Sequence, residues 1–188
     1  MLKNGIRSIG IDDGPFNRNK RSNVVIVGAV YRGGSLFDGL LTTAVRRDGW
    51  NVTDKLVSML TRSKFLPQLH YAFLDGIAFG GFNIVDLDRF YRETGLKTVV
   101  VVRKRPNLAA VRAALANLPG ADKRWYLIES AGAIHHIGRL YCQLRGVSIP
   151  ETEALLRLTC TRSHVPEPLR AAHLIAGGLV RGESGRRA

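Results

Sequence analysis

Three apolar runs of this chain lead into aspartates, and aspartates at strand ends can do metal chemistry. Ser8-Ile9-Gly10-Ile11 runs into Asp12-Asp13-Gly14-Pro15, His70-Tyr71-Ala72-Phe73-Leu74 runs into Asp75-Gly76, and the run ending at Arg46 is followed by Arg47-Asp48-Gly49. β-Branched residues around a glycine suit a buried strand, and Gly14-Pro15 breaks that strand at once. A carboxylate left at the end of a buried strand is costly unless it is paired, and a shared divalent cation is one way to pair it. Neighbouring strands lie about 4.8 Å apart, so acids on adjacent ends can share one ion through the ~2.0–2.1 Å bonds of Mg²⁺. Such ions activate water and neutralise developing charge in phosphodiester cleavage. The competing reading is turn chemistry, because Asp13-Gly14, Asp48-Gly49 and Asp75-Gly76 are all ordinary turn pairs. Asp12, one residue inside its strand, is the least turn-like. Asp38, Asp54 and Asp86 read as solvated or capping acids.

Basic and imidazole groups extend the set. Arg103-Lys104-Arg105 follows the strand Thr98–Val102, at the same end as the acids, where it would either hold phosphate or form a solvated charge run. The closing segment Pro166-Glu167-Pro168-Leu169-Arg170-Ala171-Ala172-His173 opens a helix whose Leu169, Ala172, Ala176 and Leu179 make an apolar stripe. Arg170 and His173, three apart, share a neighbouring face and can look into one cleft. His135 and His136 are adjacent, so on a strand they point to opposite faces and cannot chelate one ion together. The chain has no phosphate-binding Gly-x-x-x-x-Gly-Lys-Ser/Thr loop, no His-Glu-x-x-His and no Gly-x-Ser-x-Gly, which argues against a nucleotide-phosphate loop, a zincin or a hydrolase elbow.

Composition supplies the partner. The formal net charge is +13, from 28 basic against 15 acidic residues, and arginine outnumbers lysine 21 to 7. Arginine forks match phosphate oxygens, so a nucleic acid, DNA or RNA, is the expected partner, against the plainer reading of an arginine-rich proteome. No apolar stretch is long enough to span a bilayer, and no secretory signal stands before the first strand, so no membrane partner is expected. Cys142 and Cys160 make no disulfide framework, which suits a reducing cytoplasm. The 188 residues read as one domain over residues 1–188, of oligomeric state left open.

Around these residues the elements fall in order. Strands at Asn23–Arg32 and about Leu36–Arg46, joined by Gly33-Gly34-Ser35, complete an antiparallel meander with the first strand. Asn17–Asn23 reads as a basic hairpin loop. A helix capped by Asn51 or Thr53 runs to about Ser63. Then come the strand His70–Leu74, a helix from about Ile84 to Glu93, the strand Thr98–Val102, a helix capped by Asn107 and ending near Asn117, and a strand at Trp125–Ile128. Ala133–Arg145 reads as a strand or a helix. Helices at Pro150–Leu158 and Pro166–Val180 close the chain, with Gly182 after the last. Hairpins first and alternating strands and helices after give an α/β, ribonuclease H-like mixed sheet flanked by helices.

Four stretches together carry a family resemblance: Gly10-Ile11-Asp12-Asp13-Gly14-Pro15-Phe16, Leu74-Asp75-Gly76-Ile77-Ala78-Phe79-Gly80-Gly81-Phe82-Asn83, Gly95–Arg103, and Pro166–Ala176 with Gly182–Arg186 behind it. The chain resembles domain of unknown function family ninety-nine, a mainly archaeal family related to endonuclease V. The resemblance implies a ribonuclease H-like fold and cleavage of nucleic acid near deaminated bases with carboxylates and Mg²⁺. Under it, Asp12 looks like the first-strand acid, Asp75 like the Asp-Gly acid of the next parallel strand, and Asp48 like a replacement for a glutamate before the first helix. His173 falls where endonuclease V has an acid, and Arg103 or Lys104 near its lysine. Where endonuclease V has a histidine this chain has Gly81, and the Pro-Tyr-x-Pro wedge has no counterpart, so lesion specificity is not carried over. The expectation is a Mg²⁺- or Mn²⁺-dependent nuclease or nucleic-acid-processing protein. In it Asp12, Asp75 and Asp48 are catalytic, Asp12, Asp75, Asp13 and His173 hold metal, and Arg103, Lys104 and Arg170 contact phosphate. The alternatives are a non-catalytic nucleic-acid-binding module and a small-molecule phosphohydrolase or transferase using the same acids.

Overall fold

A computed structural model describes residues 5–17 and 22–185; residues 18–21 of the expected basic loop lie outside the described residues, as do residues 1–4 and 186–188. Seven strands make one mixed sheet in the order β3-β2-β1-β4-β7-β9-β8. They are β1 (Arg7–Asp13), β2 (Asn23–Arg32), β3 (Leu36–Arg46), β4 (Tyr71–Asp75), β7 (Lys97–Val102), β8 (His135–Ile137) and β9 (Leu140–Arg145). β1, β2 and β3 pair antiparallel, β4 lies parallel to β1, and β7 parallel to β4. β9 then turns back antiparallel to β7. A short ribbon of β5 (Ala78–Phe79) and β6 (Asn83–Ile84) follows β4.

Residue parity along the central strands decides what each face receives. Ile9 and Ile11 of β1, with Leu74 and Val100, face α1 (Val52–Thr61) and α2 (Leu87–Thr94) through Leu56, Leu60 and Phe90. The opposite parity, Phe73, Val99 and Val101, packs on Leu155 of α5 (Ile149–Thr159) and Leu169 of α6 (Glu167–Arg181). α6 also covers Val27 and Ala29 of β2 with Ala172 and Ala176. α3 (Leu108–Leu115) and α4 (Ala121–Ser130) close a separate cluster over the β5–β6 ribbon, built on Ile84, Leu115 and Ile128. Among the described residues no helix is long and apolar enough to cross a membrane.

Three expectations are corrected. Trp125–Ile128 is not a strand but part of α4: its aromatic and β-branched residues favour a strand locally, yet Arg124 and Ile128, four apart, are the buried face of a helix. Ala133–Arg145 is neither one strand nor a helix but a hairpin, β8 and β9 turning at Gly138. The helix expected from Ile84 starts at Leu87, because Asp86 caps it by accepting the Arg89 N–H at 2.9 Å while Ile84 pairs with Ala78. Asn51 stands at the N-terminus of α1 as expected, but its side chain does not cap. It accepts from Arg46 N–H and from the Asn83 amide instead.

Candidate metal centre

Strand register sets the first two carboxylates. Gly10 lies opposite Phe73 and Ile11 opposite Leu74, so the next step of the parallel pair brings Asp12 level with Asp75. Asp12 shares the parity of Gly10, and Asp75 that of Phe73, so both carboxylates turn to the face covered by α6. Asp13 has the opposite parity.

Gly10 brings α6 onto that face. A Cβ at Gly10 would lie 2.2 Å from the Leu169 nitrogen and the Pro168 carbonyl carbon, so only glycine lets the helix backbone rest on the strand. Four residues along a helix advance about 6 Å, close to the ~6.6 Å of two residues along a strand. With Leu169 over Gly10, His173 therefore stands over Asp12, and its Nδ1 lies 2.7 Å from Asp12 Oδ2. The remaining Asp12 oxygen, Oδ1, accepts the Asp13 N–H at 2.8 Å. One ligand atom from each of Asp12, Asp75 and His173 lies within 4.8 Å of the others. The trio faces an open cavity of about 670 Å³ that Phe16, Gly177 and Arg181 also line.

The electrostatics of this trio are unbalanced. Burial, and then the charge of Asp12, push Asp75 up to about 6. Arg103 opposes the rise only from 3.7 Å, with a side chain 44% exposed. The hydrogen bond to Asp12 raises the pKa of His173. Two crowded acids and an imidazole with this little cationic compensation fit a divalent cation, since oxygen and imidazole donors both bind such ions.

The other expected residues stand elsewhere. Asp13 is pushed up to about 6 by burial, and its Oδ2 accepts the Gly80 N–H on the far face of the sheet. Asp48 reaches the same end of the sheet but is not one of the trio: its Oδ1 accepts the Phe82 N–H at 2.9 Å, and its Oδ2 pairs with Arg47 at 2.9 Å. Together Asp13 and Asp48 grip the Gly80–Phe82 loop. Gly81 has φ 92°, and a Cβ there would sit 2.3 Å from Asp48 Oδ1. Arg170 is bound in a fork by the buried Glu167, with contacts of 2.7–3.0 Å. Lys104 is exposed beside Arg103. Of the capping and solvated acids, Asp86 caps α2, Asp38 pairs with Arg7 and Arg32, and Asp54 with Arg89.

One buried residue has no forewarning in the sequence. Arg124, 1% exposed, donates to the carbonyls of Asp48, Gly49 and Phe82 and lies 4.0 Å over the Trp50 ring. It holds the Asp48 turn, where φ is 50°, against the loop. The only available hint is an arginine four residues before Ile128, and a helix must be assumed before that spacing means anything.

A family profile described as endonuclease dU matches residues 4–180. The chain belongs to the endonuclease dU family. That description stands in place of the family label the motifs suggest. A UPF0215 protein of Methanothermobacter thermautotrophicus is 44% identical over 188 residues, covering 98% of this chain and 92% of that one. The crystal structure of a protein of unknown function from Archaeoglobus fulgidus is similar at 40% identity and a TM-score of 0.86, over 93% of this chain and 98% of that one. Endonuclease V of Ciona intestinalis, crystallised with a 24mer DNA containing an inosine followed by a ribo-adenosine, is similar at 12% identity and a TM-score of 0.56, over 89% and 82% of the two chains. The endonuclease dU family thus has, in this chain, the ribonuclease H-like fold of endonuclease V.

Proposed function

We propose that this protein is a divalent-metal-dependent nuclease acting at the Asp12–Asp75 centre. The observation that carries the reading is the convergence of Asp12, Asp75 and His173, from two parallel strand ends and a helix, to ligand atoms within 4.8 Å in a chain of net charge +13. When bound, Mg²⁺ or Mn²⁺ held by the two carboxylates, with His173 as a further donor, supplies water activation and neutralises charge on a scissile phosphate. The protein's own groups prepare that position. The Asp13 N–H and the His173 ring fix the two oxygens of Asp12, as orienting partners of a metal ligand do. Arg103 and Lys104, exposed beside Asp75, meet the phosphate backbone, whereas Arg170, committed to Glu167, positions α6. Asp48 acts through the Gly80–Phe82 loop. The family's description and the DNA complex of the endonuclease V neighbour support DNA as the substrate. The free thiols Cys142 and Cys160 suit a cytoplasmic enzyme.

Cleavage of labelled oligonucleotides in Mg²⁺ or Mn²⁺, and its loss in EDTA, tests the reading. Asp12→Asn and Asp75→Asn each lower the rate at least about a hundredfold, the upper range for disturbing even an outer partner of a metal ligand. Cleavage that survives both substitutions overturns the mechanism. Salt-sensitive binding with no cleavage in any divalent metal makes the protein a binding module instead.

A further inference from the structure

The β3 edge of the sheet is bare where edges are ordinarily guarded. β3 is the last strand on its side and pairs with β2 alone, and one contact gives the hydrogen-bond phase of that pair. Arg47 donates its N–H to the Ser22 carbonyl at 3.1 Å. In an antiparallel ladder Leu41, Thr43 and Val45 then bond inward to β2, while Leu40, Thr42 and Ala44 turn their N–H and C=O outward. Arg46 shares the outward phase, but its groups are taken. Its N–H donates to Asn51 Oδ1, and its carbonyl accepts from the Gly49 N–H and the Asn83 amide. At the other end the register slips between Val30 and Tyr31. An open ladder therefore runs from Leu40 to Ala44, and among the described residues no strand continues it. Natural edges are commonly blunted by charge or proline, yet Leu40-Leu41-Thr42-Thr43-Ala44-Val45 carries neither.

A basic rim borders this edge on one face. α2 flanks α1 on the side of Asp54, which pairs with Arg89 at 2.7 Å. Lys55, Met59 and Arg62, spaced i, i+4 and i+7, therefore lie on the opposite flank, toward the open side of β3. Phe65 lies against Gly39, where a Cβ would come within 2.3 Å of its ring, and Lys64 Nζ stands 5.3 Å from the centre of that ring. Lys55, Arg62 and Lys64 are exposed, and none of them has a carboxylate partner among the described residues. The other face of β3 shows Leu40, Thr42 and Ala44 to solvent, because α6 covers β2 and stops there.

We propose that the Leu40–Ala44 edge takes up an extended peptide in which acidic residues alternate with apolar ones, bound as a further strand of the sheet. The peptide backbone completes the open ladder, as in β-strand addition. Side chains of a strand alternate between faces, so its acids fall beside Lys55, Arg62 and Lys64 and its apolar residues beside Leu40 and Ala44. A nucleic acid answers the rim cations but has no peptide N–H and C=O to continue the ladder. A second copy of this chain has the ladder but sets the same cations, and a net charge of +13, against the first. The acidic peptide meets both demands. β3 lies two strands from β1, so this surface does not depend on the metal centre.

Fluorescence anisotropy with the full chain tests it, the probe being a dye-labelled peptide of alternating glutamate and valine. The wild-type protein binds this peptide. It binds at least about tenfold less tightly both a lysine–valine counterpart and a version N-methylated at alternate peptide bonds, the scale of one or two lost hydrogen bonds. Lys55→Glu with Arg62→Glu reverses the preference between the glutamate and lysine peptides. Thr42→Pro removes only an outward N–H, a position where edge strands accept proline, and weakens the glutamate peptide about tenfold. Failure of the wild-type protein to bind the glutamate peptide overturns the proposal, and so does equal affinity for the N-methylated version. A single-stranded oligonucleotide that loses as much affinity as the peptide in the charge-reversed protein makes the rim a general anion surface and also overturns it. Sedimentation that shows a dimer abolished by Thr42→Pro gives the edge to a second copy instead.

Discussion

Three aspartates at the same end of one sheet live in two unlike surroundings. At the Asp48 turn each carboxylate oxygen has its donor or cation, and the backbone carbonyls beside it are answered by Arg124. At the Asp12–Asp75 pair the charges crowd together, and among the described residues the groups set against them are Arg103, 3.7 Å from Asp75, and the His173 ring, 2.7 Å from Asp12. A satisfied carboxylate fastens chain segments and needs nothing further. Crowded carboxylates hold unfavourable electrostatic energy that a cation would relieve. Under the proposed function Asp48 is a fastening and the pair the ligand set, though all three come from Asp-Gly or Asp-Asp sequences that look alike.

Substitutions can break this contrast at either end. The largest expected effect is at the fastening: Arg124→Ala leaves several buried carbonyls without donors and empties the space over Trp50. It lowers unfolding stability by about 3 kcal/mol, measured by urea denaturation, while Mn²⁺ affinity of the folded variant changes less than about twofold. A smaller loss follows from Gly81→Ala. The left-handed backbone and the nearby Asp48 oxygen cost about 2 kcal/mol, and Asp48→Ala in the same chain recovers part of it, so the two substitutions are non-additive in a double-mutant cycle. The smallest effect has the opposite sign. Burial holds the Asp75 carboxyl at about 6 in the fold, above its ordinary value of 3.8. The metal-free native state therefore binds the proton more tightly than the unfolded chain does, and the penalty for ionising it grows through that window and is complete above pH 6. Asp75→Asn thus stabilises the metal-free protein by about 1–2 kcal/mol at pH 8, and the gain disappears below about pH 4. Thermal unfolding across pH reads it, and saturating Mn²⁺ reverses the order of the two proteins.

Much of this could be read from the chain itself. The strands Asn23–Arg32 and Leu36–Arg46 are legible because a long β-branched run, a glycine turn and a second run leave little choice of pairing. The parallel placement of Asp12 beside Asp75 follows from the same hairpin-then-crossover order. Side-chain direction beyond the strands is another matter. Asp48 turns away from the trio because the Phe82 N–H, 34 residues later in the chain, meets it, and no local pattern encodes that meeting. α4 is hidden by Trp125-Tyr126-Leu127-Ile128, whose strand preference yields to packing of Arg124 and Ile128. Gln143, a single polar residue in the apolar strand Leu140–Leu144, gives no sign of its fixed amide until Gly132 is beside it.

The resting of α6 on Gly10 also has a consequence in time. The His173–Asp12 contact spans 161 positions of sequence, and the helix that makes it is the last of the described elements. A ribosome delivers the two acids early and the imidazole late. Until α6 settles on the bare backbone of Gly10, the growing chain carries an acidic pair without its third partner, so on the proposed reading the metal site stays incomplete until α6 has emerged.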